Sequence, residues 1–183
     1  MERKMMLTFV LLVFCSIATA EESKPRGGYI GGGIGISFVD DDGAFAGSNF
    51  DDVDSSFQFH FGYKILKHLA VEARYVDLGT FSLNSFPFDV SATSIHAVGI
   101  IPFAESGWEL FGQLGFGIVN FDLGGLGSDD EDVFAGGIGV RFSTSQNFSL
   151  AIQTDVYVWE DDSTGFIYDM SVGSTQIAVQ FIF

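Results

Sequence analysis

Residues 56–64 read SFQFHFGYK, with aromatic and other side chains in strict alternation. Its aromatic side chains stand at every second position, at Phe57, Phe59, Phe61 and Tyr63. The positions between them hold Gln58, His60, Gly62 and Lys64. A period of two is that of a β-strand, because successive side chains of a strand point to opposite faces. The stretch therefore predicts a strand with one aromatic face and one polar face.

The same alternation recurs along the chain and predicts eight strands, with no segment of helical period. They run from Gly28 to Val39, Ser56 to Lys64, Leu69 to Asp77, Val90 to Phe103, Trp108 to Phe121, Asp132 to Ser143, Phe148 to Trp159 and Tyr168 to Phe183. Most exceed the five or six residues usual in soluble sheets and are long enough to cross a bilayer at a tilt.

The connections between these strands alternate in length. Residues 64–68, 104–107 and 144–147 make short connections, whereas residues 40–55, 78–89, 122–131 and 160–167 make long ones. Short turns at one end and long loops at the other are typical of outer-membrane barrels, in which the turns face the periplasm.

The polar face indicates which side of the sheet meets lipid. A soluble sandwich or a lipocalin-like barrel would bury the apolar face and place Lys, Glu and Thr in water. Here the polar face is rich in Gly, Ala, Ser and Gln, which fit inside a narrow barrel that is filled by its own side chains. The sequence thus predicts an all-β protein, an eight-stranded antiparallel up-and-down transmembrane β-barrel with Phe, Leu and Ile facing lipid.

The final stretch MSVGSTQIAVQFIF, residues 170–183, fits this prediction. In hydrocarbon every backbone donor and acceptor must pair, so the last strand is expected to join the first. Its outward residues are expected to contact lipid, with Phe183 at the periplasmic interface. An aromatic girdle is predicted there from Phe183, Trp108, Tyr63, Phe103, Phe142 and Phe148.

With its first strand GGYIGGGIGISF, eight alternating strands and terminal Phe183, the sequence resembles the small outer-membrane barrel superfamily of OmpA, OmpX and Ail type. The resemblance implies insertion by the barrel assembly machinery, which reads the final aromatic strand in that superfamily. It assigns this signal to the outward residues Ile177, Val179, Phe181 and Phe183. Relatives of Ail and OmpX type are often adhesins, so a binding role is a further implication.

The first twenty residues have the pattern of a secretory signal. Basic Arg3 and Lys4 precede the apolar run MMLTFVLLVFCSIA, and Ala18-Thr19-Ala20 offers a cleavage site. We expect residues 1–20 to be a cleaved signal peptide and residues 21–183 to be the barrel domain. Cys15, the single cysteine, falls within that signal, so the barrel is expected to be held without disulfides.

Charge is concentrated at the long connections. The net charge of −16 excludes an electrostatic nucleic-acid partner, and seventeen of the 24 acidic residues lie in or beside those four connections. One interpretation is a solvated set of loops. The other is a rim at which Mg²⁺ or Ca²⁺ bridges carboxylates to lipopolysaccharide phosphates, with no EF-hand spacing. The rim candidates are Asp40, Asp41, Asp42, Asp129, Asp130, Glu131, Asp161 and Asp162.

Charged and polar side chains on the inward face predict a network in the lumen. Its members are Glu72, Arg74, Glu109, Arg141, His60, His96, Gln113, Gln153 and Asp155, with Gln58 completing hydrogen bonds. Glu109 and Arg141 are expected at the same periplasmic depth on neighbouring strands. The network is either a structural plug or a gated ion path.

Two further features invite a functional interpretation. Ser94, His96 and Glu72 formally supply a nucleophile, a base and an acid, but they are expected to point into the packed lumen. We therefore predict no catalytic residue, and His60, His68 and His96 have no metal-ligand grouping. Phe81, Phe86 and Phe88 in the long connection 78–89 are expected to be exposed, either at the lipid interface or to a host or phage protein.

Together these patterns predict a non-enzymatic outer-membrane protein without a cofactor. It is expected to have a structural and surface role, presenting acidic extracellular loops. The alternatives are a surface adhesin or partner-binding barrel, and a narrow porin-like channel for ions or small solutes. Expected partners are outer-membrane lipid and lipopolysaccharide, the assembly machinery, and host or phage surface proteins.

Overall fold

The computed structural model describes residues 27–40, 50–51, 53–83, 86–103, 106–124, 127–161 and 168–183. The predicted signal, residues 1–20, lies outside them. Nine strands are present in this part of the chain: β1 (Gly27–Asp40), β2 (Phe50–Asp51), β3 (Val53–Leu66), β4 (Leu69–Leu83), β5 (Phe86–Phe103), β6 (Trp108–Asp122), β7 (Ser128–Ser143), β8 (Phe148–Asp161) and β9 (Tyr168–Ile182). None of the described segments is a helix that could span a membrane.

The strands form a closed up-and-down barrel. Neighbours pair antiparallel in the order β1, β3, β4, β5, β6, β7, β8 and β9, and β9 pairs back with β1. The two-residue strand β2 adds only a short pairing beside the end of β4. The predicted eight-stranded antiparallel barrel is confirmed.

Glycines make the seam between β1 and β9 possible. The two strands pair from Tyr29 opposite Ile182 to Asp40 opposite Ser171. A Cβ at Gly31 would lie 2.6 Å from the carbonyl oxygen of Val179. A side chain at this position on the lumen face of β1 would therefore collide with the backbone of β9, and glycine here lets the last strand close the barrel.

The short connections occur where the sequence predicts them. β3 ends at Leu66 before β4 begins at Leu69, β5 ends at Phe103 before Trp108, and β7 ends at Ser143 before Phe148. These connections define the turn end of the barrel, and the opposite end is the loop end. Phe183 is fixed at the turn end, because its N–H donates to the carbonyl oxygen of Gly28 at 3.0 Å.

The strands at the loop end extend farther than predicted. The predicted long loop 78–89 is mostly a hairpin, since β4 continues to Leu83 and β5 begins at Phe86. The predicted loop 122–131 is also shortened, because β7 begins at Ser128. A bulge between Asp77 and Gly79, where Gly79 has φ of 93°, lets β4 continue past the turn-forming residues. The prediction of a long loop at 78–89 was therefore wrong.

The two faces of the sheet separate apolar from polar side chains over most of the barrel. In β3 the outward Phe59 is 52% exposed, whereas the inward His60 is 2% exposed. The same alternation places Ile152, Ile177 and Phe116 outward. An apolar outer surface around a filled interior is the reverse of a soluble fold and the normal arrangement of a barrel in lipid.

Candidate functional site

The centre of the lumen holds a buried ionic cluster around Arg74. Its Nη1 lies 2.7 Å from Oδ2 of Asp155, and its Nε donates to Oε1 of Glu72 at 3.1 Å. The remaining nitrogen, Nη2, also contacts Glu72 and donates to Oε1 of Gln113 at 2.9 Å. Four hydrogen bonds thus give each of the three guanidinium nitrogens at least one acceptor, as a buried arginine requires.

Neutral side chains complete this cluster. The hydroxyl of Tyr29 donates to Oε2 of Glu72 at 2.9 Å, and Nε2 of Gln153 donates to Oδ2 of Asp155 at 2.7 Å. Gln153 also donates to Oε1 of Gln58 at 3.2 Å. Tyr29 was missing from the predicted network. It is two residues before Gly31 and therefore on the same inward face of β1, which was enough to predict that it points into the lumen.

A second ionic group lies at the turn end. Arg141 and Glu109 are opposite each other on β7 and β6, and Nη1 of Arg141 lies 3.3 Å from Oε2 of Glu109. Nζ of Lys64 lies 3.4 Å from the other oxygen of Glu109. The guanidinium also stacks 4.8 Å from the ring centroid of Phe111. Lys64 and Glu109 retain some exposure, so the polar part of the lumen meets water at this end.

The loop end of the lumen is filled by an apolar plug. We use outer plug for the buried side chains of Val76, Leu78, Phe81, Val90, Ala92, Val119, Val133, Ala135, Tyr157, Trp159 and Val172. Val39, Phe88 and Phe121 pack against it. The ring centroids of Phe121 and Trp159 are 5.4 Å apart, and those of Phe81 and Phe88 are 6.1 Å apart. The inward face is therefore polar in the middle of the barrel and apolar near its outer end.

This plug corrects the prediction made for the aromatic residues of segment 78–89. Phe81 is fully buried in the outer plug and Phe88 packs against it, so neither is the exposed loop residue that was expected. The side chain of Phe86 lies outside the described ones. The cause is the bulge after Asp77, which shifts the parity of β4 by one residue and turns Phe81 inward.

His60, His96 and Ser94 are enclosed in the same interior. Oγ of Ser94 lies 2.7 Å from Nε2 of His96, and both residues are buried. Glu72 is opposite His96 in the register, but its hydrogen bonds go to Arg74 and Tyr29. His60 Nε2 lies 3.1 Å from Nε2 of Gln180. The three predicted components of a triad thus do not form an acid-to-base-to-nucleophile chain.

The acidic rim is described in part. Asp129, Asp130 and Glu131 lie on β7, where Nδ2 of Asn120 donates to Oδ1 of Asp130 at 2.5 Å. Asp41, Asp42 and Asp162 lie outside the described residues, as do the side chains of Asp40 and Asp161. Within the described ranges, no three His, Cys, Asp or Glu side chains are grouped to hold a metal ion.

The described basic residues are absent from the rim. The lysines and arginines of the described ranges are Lys64, Lys67, Arg74 and Arg141. Lys64 lies at the turn end of β3 and Lys67 in the turn that follows it. Arg74 and Arg141 point into the lumen. The described part of the loop end is therefore negative, with no basic side chain among its carboxylates.

The outward face of β9 carries the residues expected to form the assembly signal. Ile177, Val179, Phe181 and Phe183 are all exposed. The rings of Phe148 and Phe181 lie 5.1 Å apart, and those of Trp108 and Phe142 lie 4.8 Å apart, all at the turn end. These two contacts include three of the six aromatic side chains predicted for a girdle, Phe148, Trp108 and Phe142.

The sequence matches the outer membrane protein beta-barrel domain over residues 7–183. The chain belongs to this family. The family places the apolar outer surface in the outer membrane, so the turn end is periplasmic and the loop end faces outside. The length of β8 agrees, because its outward residues from Phe148 to Val158, apolar except for Thr154, span about the 9–11 residues of a membrane-crossing strand.

Solved barrels share the fold at low sequence identity. Neisserial surface protein A aligns with a TM-score of 0.65 and 15% identity, covering 87% of this chain and 100% of its own. The Yersinia pestis attachment invasion locus protein, Ail, gives 0.54 and 19%, covering 87% and 100%. The N-terminal barrel domain of Pseudomonas aeruginosa OprF gives 0.56 and 14%, covering 86% and 99%. No curated protein matches the sequence significantly.

Proposed function

We propose that this outer-membrane barrel is a non-conducting, non-enzymatic surface protein that strengthens the membrane and presents an acidic face outside the cell. The observation that carries the proposal is the filled lumen, in which Arg74 bridges to Asp155 beneath the outer plug. Eight-stranded barrels have an interior just wide enough for side chains. Here both a charged layer and an apolar layer occupy it.

A conductance measurement tests the proposal against the channel alternative. The refolded chain in a planar bilayer should give no unitary current, and liposomes that contain it should not swell in arabinose. An Arg141→Ala variant should also stay silent, because the outer plug closes the lumen beyond Arg141. Steady single-channel currents from the wild-type chain would contradict the proposal, and currents that appear only in Arg141→Ala would indicate a gated path.

The acidic face is proposed to interact with the lipopolysaccharide around the barrel, rather than to hold one specifically bound ion. The β6–β7 hairpin carries Asp122, Asp129, Asp130 and Asp132 past the outward apolar residues Phe116 and Phe134. Mg²⁺ or Ca²⁺ held near such carboxylates can bridge to lipopolysaccharide phosphates, since hard cations prefer oxygen ligands. The rim residues Asp40, Asp41, Asp42, Glu131, Asp161 and Asp162 are proposed to add to this charge.

Replacing Asp129 and Asp130 by Asn should make cells more sensitive to chelator. Unchanged sensitivity would count against the bridge between these carboxylates and lipopolysaccharide.

A partner-binding role is the second candidate, and the sign of the charge favours a basic partner. Ail has been crystallised with the heparin analogue sucrose octasulfate, a polyanion. No lysine or arginine among the described residues lies at the loop end of this chain. We therefore expect it to bind a cationic peptide in a salt-dependent manner and not sucrose octasulfate. Binding of the polysulfate with equal strength would contradict this expectation.

Export and insertion complete the proposal. We propose cleavage after Ala20, which leaves residues 21–183 as the mature barrel, and recognition of Ile177, Val179, Phe181 and Phe183 by the barrel assembly machinery. The N-terminal residue of the protein recovered from outer membranes should then be Glu21. An intact Met1 on that protein would contradict the predicted signal.

A further inference from the structure

The guanidinium of Arg141 is buried but has few acceptors. Arg141 and Arg74 are both 3% exposed. Arg74 makes four hydrogen bonds to side chains, whereas Arg141 makes one within the described part of the chain, from Nη1 to Oε2 of Glu109 at 3.3 Å. Its Nε is buried and has no acceptor there. Because a guanidinium carries five N–H hydrogens that need acceptors away from water, the described surroundings of Arg141 supply too few oxygen atoms.

Aromatic rings cover this guanidinium without filling its donors. Its Cζ lies 4.8 Å from the ring centroid of Phe111 and 5.9 Å from that of Tyr29. Such contacts are made through the face of the guanidinium plane, whereas its N–H hydrogens point outward within that plane. The rings therefore hold the group in place, and its edge remains for an acceptor.

Positive charge is in excess beside this edge. Nη1 of Arg141 and Nζ of Lys64 lie 3.3 and 3.4 Å from the two oxygens of Glu109, so two cations share one carboxylate. Ion pairs with good hydrogen-bond geometry are closer, at about 2.7–2.9 Å. The carboxylates of the central cluster are engaged by Arg74, and the terminal carboxylate of Phe183 forms no ion pair with either cation. One positive charge therefore has no counter-ion among the residues described at this end.

The site opens toward the periplasm. The side chains of Lys64 and Glu109 at its mouth keep part of their exposure. Glu109 and Arg141 pair in the register directly beside Trp108 and Phe142, an aromatic pair of the outward face. Outward aromatic side chains near the end of a barrel lie at the level of the lipid headgroups. Periplasmic solutes and the phosphates of the inner leaflet are therefore both near the mouth of this site.

We propose that the turn end of the lumen binds a phosphate group between Lys64 and the open edge of the Arg141 guanidinium. The oxygens of a phosphate accept hydrogen bonds from a guanidinium edge and an ammonium at the same time, and its charge offsets the surplus cation. Free phosphate and the headgroup of an anionic phospholipid share this chemistry. This inference goes beyond the proposed function, because it depends neither on the acidic loop end nor on a closed lumen.

Side-chain NMR spectroscopy tests the proposal at Arg141 itself. Residues 21–183 contain three arginines, Arg26, Arg74 and Arg141, so the refolded chain labelled with ¹⁵N-arginine gives three Nε–H signals. Arg26→Lys and Arg141→Lys assign them. In octyl glucoside, inorganic phosphate should shift the Arg141 signal in a saturable manner and leave the Arg74 signal unchanged, because each nitrogen of Arg74 already has an acceptor. Sodium chloride at the same ionic strength should shift neither signal.

Three substitutions vary the charge of the site. Lys64→Gln should raise the dissociation constant for phosphate about tenfold, the effect of losing one hydrogen bond to a charged group. Glu109→Gln should lower that constant, because the competing carboxylate is removed. Lys67→Gln is the control, since it removes the same charge from the turn that follows β3 and should leave binding unchanged. Heat-modifiable migration on gels checks folding, and Glu109→Gln alone decides the test if Lys64→Gln does not fold.

Phosphatidylglycerol added to the octyl glucoside without phosphate separates the two sources. A shift of the Arg141 signal with this lipid alone would assign the site to a headgroup, and a shift with inorganic phosphate would assign it to the free anion. No shift with either would overturn the proposal, because water or another group of the chain would then meet these donors.

Equal shifts of the Arg74 and Arg141 signals would also overturn the proposal, as would equal affinities of Lys64→Gln and Lys67→Gln for phosphate. Both results would mean general screening by the added anion. Conductance and sensitivity to chelator do not bear on these outcomes, so this proposal and the proposed function fail separately.

Discussion

Arg74 and Asp155 join opposite walls of the barrel, with 2.7 Å between Nη1 and Oδ2. Arg74 is on β4 and Asp155 on β8, which are four strands apart in either direction around the closed sheet. The pair therefore spans the whole width of the lumen. A side chain that crosses a barrel in this way both blocks the interior and couples two strands that share no backbone bond.

Removing that cation should destabilise the barrel strongly. Arg74→Ala leaves Glu72 and Asp155 buried without their partner, and loss of one member of a buried ion pair costs about 3–5 kcal/mol. Urea unfolding in lipid vesicles measures the change in the free energy of unfolding. Arg141→Ala is the control, and its effect should be smaller because Glu109 is partly solvated and keeps Lys64 nearby. Equal effects of the two variants would contradict the central role of Arg74.

The outer plug predicts a large effect at a position that the sequence pattern placed in a loop. Phe81→Ala should cost about 3–5 kcal/mol, the usual range for a buried Phe→Ala substitution. Phe116→Ala is the control, since Phe116 is outward and 70% exposed to the bilayer; its truncation loses transfer free energy but leaves no internal cavity, so it should cost less. The same urea experiment measures both. A negligible effect of Phe81→Ala would mean that this side chain lies outside the plug.

Alternation predicted the strands well because lipid tolerates few exceptions on the outward face. The period of two in residues 56–64 and 148–156 was sufficient to assign both faces and the short turns. The alternation did not predict the faces of β4 after Asp77, because the one extra residue of a bulge exchanges the inward and outward positions. No feature of the sequence marks that bulge. Gly79 and Pro87 resemble loop residues, although Gly79 lies within β4 and Pro87 within β5.

Contacts across the lumen could not be predicted either. The sequence indicated that Glu109 and Arg141 are neighbours, because they lie on consecutive strands that pair with each other. The contact of Arg74 with Asp155 depends on the tilt and stagger of strands on opposite walls, which alternation does not report. The outer plug was also missed, since Leu78 and Phe81 were assigned to a loop, and Phe121 and Trp159 were only the last residues of their predicted strands.

Position 35, on the lumen face of the seam between the first and last strands, should not accept a side chain. A Cβ at Gly35 would collide with the carbonyl oxygen of Thr175 on β9. Gly35→Val should therefore prevent closure, measured as loss of the fast-migrating form on unheated gels. Gly112→Val, on the open outward face, should migrate like the wild type. A folded, heat-modifiable Gly35→Val barrel would contradict the register of β1 with β9.

Phe183 should matter more for insertion in cells than for the stability of the finished barrel. Phe183→Ala should slow the appearance of folded protein in the outer membrane, if the assembly machinery reads this residue. Spontaneous refolding of the purified variant in detergent should be nearly unchanged, because the ring is exposed at the turn end. Pulse-chase labelling followed by gel migration measures the rate at which folded protein appears in cells, and Phe116→Ala is the control. Equal slowing in cells and in detergent would indicate a structural role only.

The two tryptophans test most directly whether the bulky outward face meets lipid and the lumen is closed. Trp108 is 47% exposed on the outward surface, whereas Trp159 is 5% exposed in the outer plug. Brominated lipids should quench the fluorescence of Trp159→Phe, which keeps Trp108, and should leave Trp108→Phe, which keeps Trp159, nearly unquenched. Aqueous acrylamide should also fail to quench Trp159. Strong quenching of Trp159 by brominated lipid, or none of Trp108, would contradict the account.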